Sequence, residues 1–214
     1  MRTVIEHTAD GSATLYIPEM DEHYHSIKGA VTESQHIFVD MGFRHSEVIH
    51  PRILEIGFGT GLNAYLTYKA AYESGKNVEY TAIEKYPLEW EAVDKLNYTD
   101  DPVFRLFHES EWNEKVQPAP GFTLEKVKSD FTEYRFRSTF DLIYFDAFAP
   151  EKQPEMWNAD LFGHLYQCMN DHAILTTYCA KGSVRRMLQE TGLTVERLPG
   201  PPGGKREILR AIKQ

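Results

Sequence analysis

The stretch Leu54-Glu55-Ile56-Gly57-Phe58-Gly59-Thr60-Gly61-Leu62-Asn63 is where this chain's backbone can come closest to a ligand. Gly57, Gly59 and Gly61 allow a sharp turn with no Cβ in the way. Their spacing is G-x-G-x-G, not the G-x-G-x-x-G of dinucleotide sites. A pyrophosphate sits on the free N–H groups of a helix N-terminus. S-adenosylmethionine has no phosphate, so its loop, here with Phe58 and Thr60, need only make room for the amino-acid portion. Glu55 and Asn63 are then placed to hydrogen-bond it. Glu84, in Ala82-Ile83-Glu84-Lys85, comes 23 residues after Gly61. A carboxylate there can accept two hydrogen bonds from ribose hydroxyls, a role that NAD sites share. Lys85 stands beside it. Asp130, in Lys128-Ser129-Asp130-Phe131, reads either as a contact to an adenine amino group or as a helix N-cap.

These residues need strands and helices to position them. Residues 3–7 and 13–17 read as two short strands around Ala9-Asp10-Gly11-Ser12, a hairpin signal. Residues 20–50 are polar and irregular and read as a lead-in segment, with one apolar stretch at Ile37-Phe38-Val39. From Arg52 strands and helices alternate. Strands are expected at 52–56, 78–83, 122–127, 140–145, 173–178, 193–198 and 207–212, and helices at 62–72, 87–96, 156–169 and 184–190. This pattern predicts an α/β fold: a mostly parallel, Rossmann-like sheet covered by helices on both faces. Ligands in such sheets lie beyond the carboxyl ends of the strands. That singles out Gly57, Glu84, Asp130 and Asp146, each just after a strand. The expected organisation is an N-terminal β extension and lead-in over 1–50, then one catalytic domain over 51–214.

Composition narrows the function classes. The chain has 214 residues, 42% hydrophobic and 26% charged, which fits a folded globular protein. Its net charge of -9 argues against a nonspecific nucleic-acid coat. Two cysteines are too few for a disulfide scaffold and suggest a reducing compartment. Cys168 falls on an apolar helix face and reads as core, while Cys179 has no orienting base beside it in sequence. No apolar run approaches the ~20 residues that span a bilayer, and no secretory leader is visible. The expected location is the cytoplasm. His23 and His25 share a strand face but lack the companions a metal site needs, so they read as pocket or surface residues.

Further blocks point to a family. Tyr144-Phe145-Asp146-Ala147-Phe148-Ala149-Pro150, followed by Gln153-Pro154-Glu155-Met156-Trp157, resembles the D-[GA]-F-A-P…N-P-x-[ML]-W block of the MnmC/MnmD family. Tyr24-His25-Ser26…Glu33-Ser34…Ile37-Phe38 resembles its Y-x-S…E-[TS]…V-F segment. Gly57-Phe58-Gly59-Thr60-Gly61-Leu62-Asn63 matches G-F-G-T-G-L-N, and Glu84-Lys85-Tyr86-Pro87-Leu88 is similar to E-K-F-P-L. Val184-Arg185-Arg186 and Gly204-Lys205-Arg206-Glu207-Ile208-Leu209 resemble V-R-R and G-x-K-R-E-M. The sequence departs from the pattern at Gln153, where Asn is usual, and at Lys181, where a small residue is expected.

The resemblance implies a class I S-adenosylmethionine-dependent methyltransferase fold with an antiparallel C-terminal strand. It implies N-methylation of 5-aminomethyl-2-thiouridine at the tRNA wobble position, by a methyltransferase without the family's FAD-dependent oxidase half. Cofactor-binding residues are then Glu55, Gly57, Phe58, Gly59, Thr60, Gly61, Asn63, Glu84, Lys85, Asp130 and Asp146. Asp146 is the expected catalytic group: it would orient the amine and help accept its proton. Phe148 and Trp157 are candidates to stack on the extruded base, Trp157 also reading as helix core. No metal is needed. Residues 181–214 hold eight basic and three acidic residues, a net +5 against -14 for residues 1–180. Lys181, Arg185, Arg186, Lys205 and Arg206 are therefore expected to contact the anticodon stem-loop. The rival readings are methylation of another amine, a nicotinamide oxidoreductase, and an inactive RNA-binding relative.

Overall fold

The computed structural model of the chain describes residues 2–214. Its centre is an eight-stranded sheet. The strands are β4 (Arg52–Ile56), β5 (Val78–Glu84), β6 (Lys115–Ala119), β7 (Phe122–Lys128), β8 (Phe140–Phe145), β9 (Met169–Thr177), β10 (Thr194–Pro199) and β11 (Glu207–Ile212). Their order is β10-β11-β9-β8-β4-β5-β7-β6. The five central strands, from β9 to β7, run parallel. β11 and β10 add antiparallel at one edge and β6 at the other. The expected mixed sheet is thus observed, with β6 as an unforeseen edge. Pro118 lies within it, and an edge strand tolerates proline because one side of its backbone needs no ladder partner.

Alternation along β8 builds two cores. Leu142 and Tyr144 face one side with Ile53, Tyr80, Phe107 and Phe122. Ile143 and Phe145 face the other with Leu54, Ile56, Phe162, Leu165 and Leu175. Central parallel strands are buried on both faces and so are apolar throughout. Charged exceptions are Glu55, a fully buried carboxyl in β4, and Lys126, a buried ammonium in β7.

The remaining elements depart from expectation in informative ways. β1 (Val4–His7) and β2 (Ala13–Ile17) pair antiparallel as foreseen, and β3 (Glu22–His23) extends them to a three-stranded sheet. The polar lead-in is more ordered than its composition suggests. Helix α1 (Ala30–Ser34) continues as a π-helix over Gln35–Phe43. That helix buries Ile37, Phe38, Val39 and Phe43 against the first core. Asp10 fixes its start by accepting hydrogen bonds from Thr32 N and Oγ1, which sets the direction of the adjoining Glu33. Helix α2 spans Leu62–Ser74. The helix expected at 87–96 begins late: α3 is Trp90–Val93, followed by a 3₁₀ turn. Glu84 holds Tyr86 N, which ties the preceding backbone into an extended path. Helix α4 (Pro102–Glu109) was not foreseen, although Asp101 caps Val103 N and Pro102 opens the first turn. Helix α5 runs Ala159–Cys168 from an Asn158 cap, so Met156 and Trp157 precede it. Helix α6 spans Gly182–Glu190. No helix among the described residues is long and apolar enough to cross a membrane.

Candidate active site

Two clefts open at the carboxyl ends of β4, β5, β8 and β9, and they meet at one carboxylate. The narrower crevice is lined by Gly57, Phe58, Gly59, Thr60, Glu84, Lys85, Ser129, Asp130, Phe131 and Met156. The wider cleft, about 640 Å³, is lined by Ser26, Glu33, Ala149, Pro150, Tyr178, Cys179, Lys181, Lys205 and Arg206. That volume falls within the range of small-ligand pockets. Tyr24, His25, Asp146, Ala147 and Phe148 line both.

The glycine loop makes the floor of the crevice. Gly57 has φ +92°, and a Cβ there would lie 3.0 Å from the backbone oxygen of Asp146. Only glycine lets β4 and β8 end this close together. Gly61, the third glycine of the loop, packs against α4. It lines neither cleft, and a Cβ on it would meet His108 Nε2 at 2.7 Å. Its role is close packing of α2 on α4. Phe58 lines the crevice, but its ring rests on His108 and Trp112. Beneath it the Lys126 ammonium donates to His108 O at 2.6 Å and lies 4.7 Å from the Trp112 ring centroid. Burial lowers that lysine's pKa to about 8.

Glu84 ends β5 as foreseen. One oxygen accepts Gly59 N at 3.1 Å and the other Tyr86 N at 2.7 Å. Burial raises its pKa against those backbone donors. Each carboxylate oxygen keeps a spare lone pair, so the group can still receive ribose hydroxyls. Of the two readings for Asp130, the capping one is realised: Oδ1 accepts Thr132 N, and Oδ2 holds Lys85 Nζ at 2.6 Å. Lys85 is exposed and turned onto that partner. Both still border the crevice.

Glu55 and Asn63, expected to hydrogen-bond the ligand, lie one layer back from it in the protein. Both are buried behind the loop and line neither cleft. Asn63 Nδ2 donates to Glu55 Oε1 at 2.9 Å and to Asp146 Oδ2 at 2.8 Å. Glu55 Oε2 has no partner, and burial drives this carboxyl well above its ordinary pKa. The pair is a rigid backing that aims Asp146. Asp146 itself is pushed up to about 7. Desolvation is the main cause, Asn63 and the Lys205 charge oppose it, and the Glu33 charge adds to it.

The aromatic candidates divide. Phe148 is half-buried at the junction, 5.2 Å edge-to-face from Tyr24. Gln153 Oε1 accepts its N–H, so the residue that replaces the usual Asn is a working clamp. Trp157 does not reach a cleft. It is 6% exposed, sits in the second core and donates Nε1–H to Phe148 O at 2.8 Å. It positions Phe148 from behind.

The basic tail is largely self-neutralised, because summed charge carries no information about pairing. Lys181 pairs with Glu151, Arg197 with Glu207, Lys205 with Glu33 and Arg210 with Glu196. Lys213 donates to two backbone carbonyls. Arg185 and Arg186, on α6, line neither cleft, while Arg206 does line the wide one. His25, read as a pocket or surface residue, lines both clefts, whereas sequence reasoning missed Tyr24, Glu33 and Tyr178, the first two of which lie inside the family-like segment. His25 Nε2 meets Thr60 Oγ1 at 2.7 Å, and burial lowers its pKa to about 4. Tyr178 OH donates to Ala147 O. Among the described residues no cluster of three His, Cys, Asp or Glu could hold a metal ion.

A glycine-floored crevice with a ribose-ready acid after β5, on a sheet of this order, defines a Rossmann-like S-adenosylmethionine-dependent methyltransferase fold. The donor set fits that cofactor: open backbone at Gly57 and Gly59, free lone pairs on Glu84, and the Asp146 carboxyl at the junction, which would complement a positive sulfonium. The chain belongs to the family described as S-adenosyl-L-methionine-dependent methyltransferase, whose model matches residues 77–214. It is 26% identical, over 99% of its length, to a protein of Pseudomonas entomophila. That protein is named tRNA 5-methylaminomethyl-2-thiouridine biosynthesis bifunctional protein MnmC. A Cupriavidus necator protein of the same name is 30% identical over 92% of the chain. The chain spans about a third of the length of these relatives, 36% and 32% respectively. The crystal structure of MNMC2 from Aquifex aeolicus superimposes with TM-score 0.79 at 27% identity, covering 98% of this chain and 70% of that one. Spermidine synthase from Thermotoga maritima shares the fold, with TM-score 0.60 at 14% identity.

Proposed function

We propose that the chain N-methylates the aminomethyl group of 5-aminomethyl-2-thiouridine at the tRNA wobble position, giving 5-methylaminomethyl-2-thiouridine. The observation that carries this reading is Asp146, which stands between the donor crevice and a second cleft of ligand size. The substrate is taken from the relatives' names, and tRNA substrates fit a cytoplasmic enzyme.

Bound S-adenosylmethionine supplies a sulfonium methyl for in-line displacement, a reaction in which positioning and electrostatics do most of the work. Gly57, Gly59 and Glu84 hold the donor's nucleoside and amino-acid portions. Asp146 accepts a hydrogen bond from the amine and turns its lone pair toward the crevice. As nitrogen gains positive charge in the transition state, the ionised carboxylate stabilises it. Asp146, raised to about 7 by burial, would be favoured in its ionised form by the positive charge of a bound sulfonium. Phe148, clamped by Gln153 and Trp157, offers a fixed ring for stacking on the extruded uracil. Lys181, Lys205 and Arg206 at the wide cleft's edge are placed to meet RNA phosphates, the two lysines by exchanging their carboxylate partners.

The test is nucleoside mass spectrometry on tRNA bearing 5-aminomethyl-2-thiouridine, incubated with the protein and S-adenosylmethionine. A mass gain of one methylene unit on that nucleoside supports the reading. Unchanged nucleoside, with methyl transfer to a different amine, refutes it.

A further inference from the structure

The substrate of the proposed reaction brings a charge with it. An alkylamine with a pKa near 10.4 is protonated at pH 7 in all but about one molecule in 2,500. A cation that leaves water for a partly enclosed cleft must find a charged or aromatic partner there, or it loses more hydration than it gains. A cleft that admits this substituent therefore needs a place shaped for an alkylammonium. The wide cleft contains one, and the protein's own alkylammonium sits in it.

Lys205 stands on the turn between β10 and β11 and lines the wide cleft. Its Nζ reaches Glu33 Oε1 at 3.1 Å and lies 3.7 Å from the Tyr178 ring centroid. A carboxylate and an aromatic face are the partners that suit an alkylammonium best. The fold holds both in place. Glu33 is 7% exposed, and Ser26 N donates to its Oε2 at 2.7 Å. Tyr178 OH donates to Ala147 O, which fixes the ring in the cleft wall next to Asp146. Lys205 is the loose member: its side chain is 42% exposed, against 10% for that of Glu33. The site also lies close to the reacting centre, because the Glu33 charge raises the Asp146 pKa and the Lys205 charge lowers it. Two other charges around this cleft, Lys181 and Glu207, are tied to Glu151 and Arg197.

We propose that Glu33 and the Tyr178 ring form a subsite that recognises the ammonium of the aminomethyl substituent, and that Lys205 fills it as a surrogate until substrate arrives. The inference rests on the amine-methylating reading above and adds the residues that select a charged substituent. An RNA phosphate at the cleft mouth gives the displaced Lys205 a new partner, so the exchange leaves neither cation unpaired. A uridine with no charged substituent gains nothing from this subsite and leaves Lys205 in place. Glu33 acts here in recognition, ahead of the chemistry at Asp146.

The experiment measures the binding of tRNA bearing 5-aminomethyl-2-thiouridine and of the same tRNA bearing 2-thiouridine, at pH 7 with S-adenosylhomocysteine present so that no methyl moves. The readout is the ratio of the two dissociation constants, in which contacts to phosphates and to the base cancel. Wild type should favour the aminomethyl RNA about tenfold. Glu33→Gln keeps an oxygen for Ser26 N but no charge, and its ratio should fall below about twofold. Lys205→Met removes the surrogate and leaves the subsite, so its ratio should rise about threefold or more above wild type, even as both RNAs lose a phosphate contact. A mere staple between α1 and the turn would behave differently: each variant would shift both RNAs alike and keep the wild-type ratio. If Glu33→Gln does not melt cooperatively, the Lys205→Met ratio decides alone. A Glu33→Gln ratio equal to that of wild type, or a Lys205→Met ratio at or below it, overturns the proposal. A wild type that shows no preference yet methylates the aminomethyl RNA when given S-adenosylmethionine overturns this inference alone. One that neither prefers nor methylates that RNA overturns the substrate reading with it.

Discussion

Replacing Asp146 by Asn should produce a protein that is more stable and nearly inactive. The Asp146 carboxyl titrates near pH 7 in the folded chain and near its ordinary 3.8 when unfolded. Between those values the folded state holds a proton that the unfolded state has released. This contribution to stability is therefore full below about pH 4, declines as pH rises to 7 and is flat above. Roughly three pKa units at 1.36 kcal/mol each give about 4 kcal/mol. The side chain faces two open clefts, so about half that, ~2 kcal/mol, is the expected penalty at pH 8. Asparagine carries no charge and can still accept from Asn63 Nδ2. Asp146→Asn should then melt about 4–8 °C higher than wild type at pH 8, with the difference vanishing near pH 4. Methyl transfer should fall about 10²–10⁴-fold, with donor affinity changed far less. Calorimetric melting across pH, paired with single-turnover rates, measures both. A variant less stable than wild type at pH 8, or a stability difference that ignores pH, would refute the claim that this site holds a destabilised carboxylate for function.

Other perturbations follow from the same geometry. Gly57→Ala places a Cβ 3.0 Å from a backbone oxygen at φ +92°, so donor affinity by titration calorimetry should drop at least about tenfold and stability by ~1–3 kcal/mol. Trp157→Phe keeps the core aromatic but frees Phe148 O. Turnover on RNA should fall several-fold with donor affinity intact, and an unaltered rate would deny Trp157 its positioning role. The wild-type kcat/KM should decline tenfold per unit below about pH 7, the Asp146 value in the free enzyme. Lys205→Met removes a charge that lowers that value, so the acidic limb should move to higher pH.

Much of this architecture is written locally. The β4–glycine loop–α2 unit, the acid after β5 and the β8–Asp146 junction each combine an apolar run with a turn residue, and all three fall where the spacing puts them. What was missed depends on partners remote in sequence. Residues 35–43 wind as a π-helix, whose wider turns do not show the 3.6-residue period by which helices are recognised. Asp101-Pro102 is a legible helix start, but α4 runs only eight residues from it. Glu55 and Asn63 flank the glycine loop and so read as ligand contacts, yet β4 is buried on both faces and turns Glu55 inward. The tail's positive charge was legible and its availability was not: Glu33 and Lys205 are 172 positions apart.

The arrangement of donor and acceptor around Asp146 is tested most directly by the crystal structure of the protein with S-adenosylhomocysteine. The account places the ribose on Glu84, the adenine against Ser129–Phe131, and the sulfur opening past Asp146 into the cleft bounded by Glu33 and Tyr178. A nucleoside lodged in that wide cleft, or a sulfur directed away from Asp146, would contradict it.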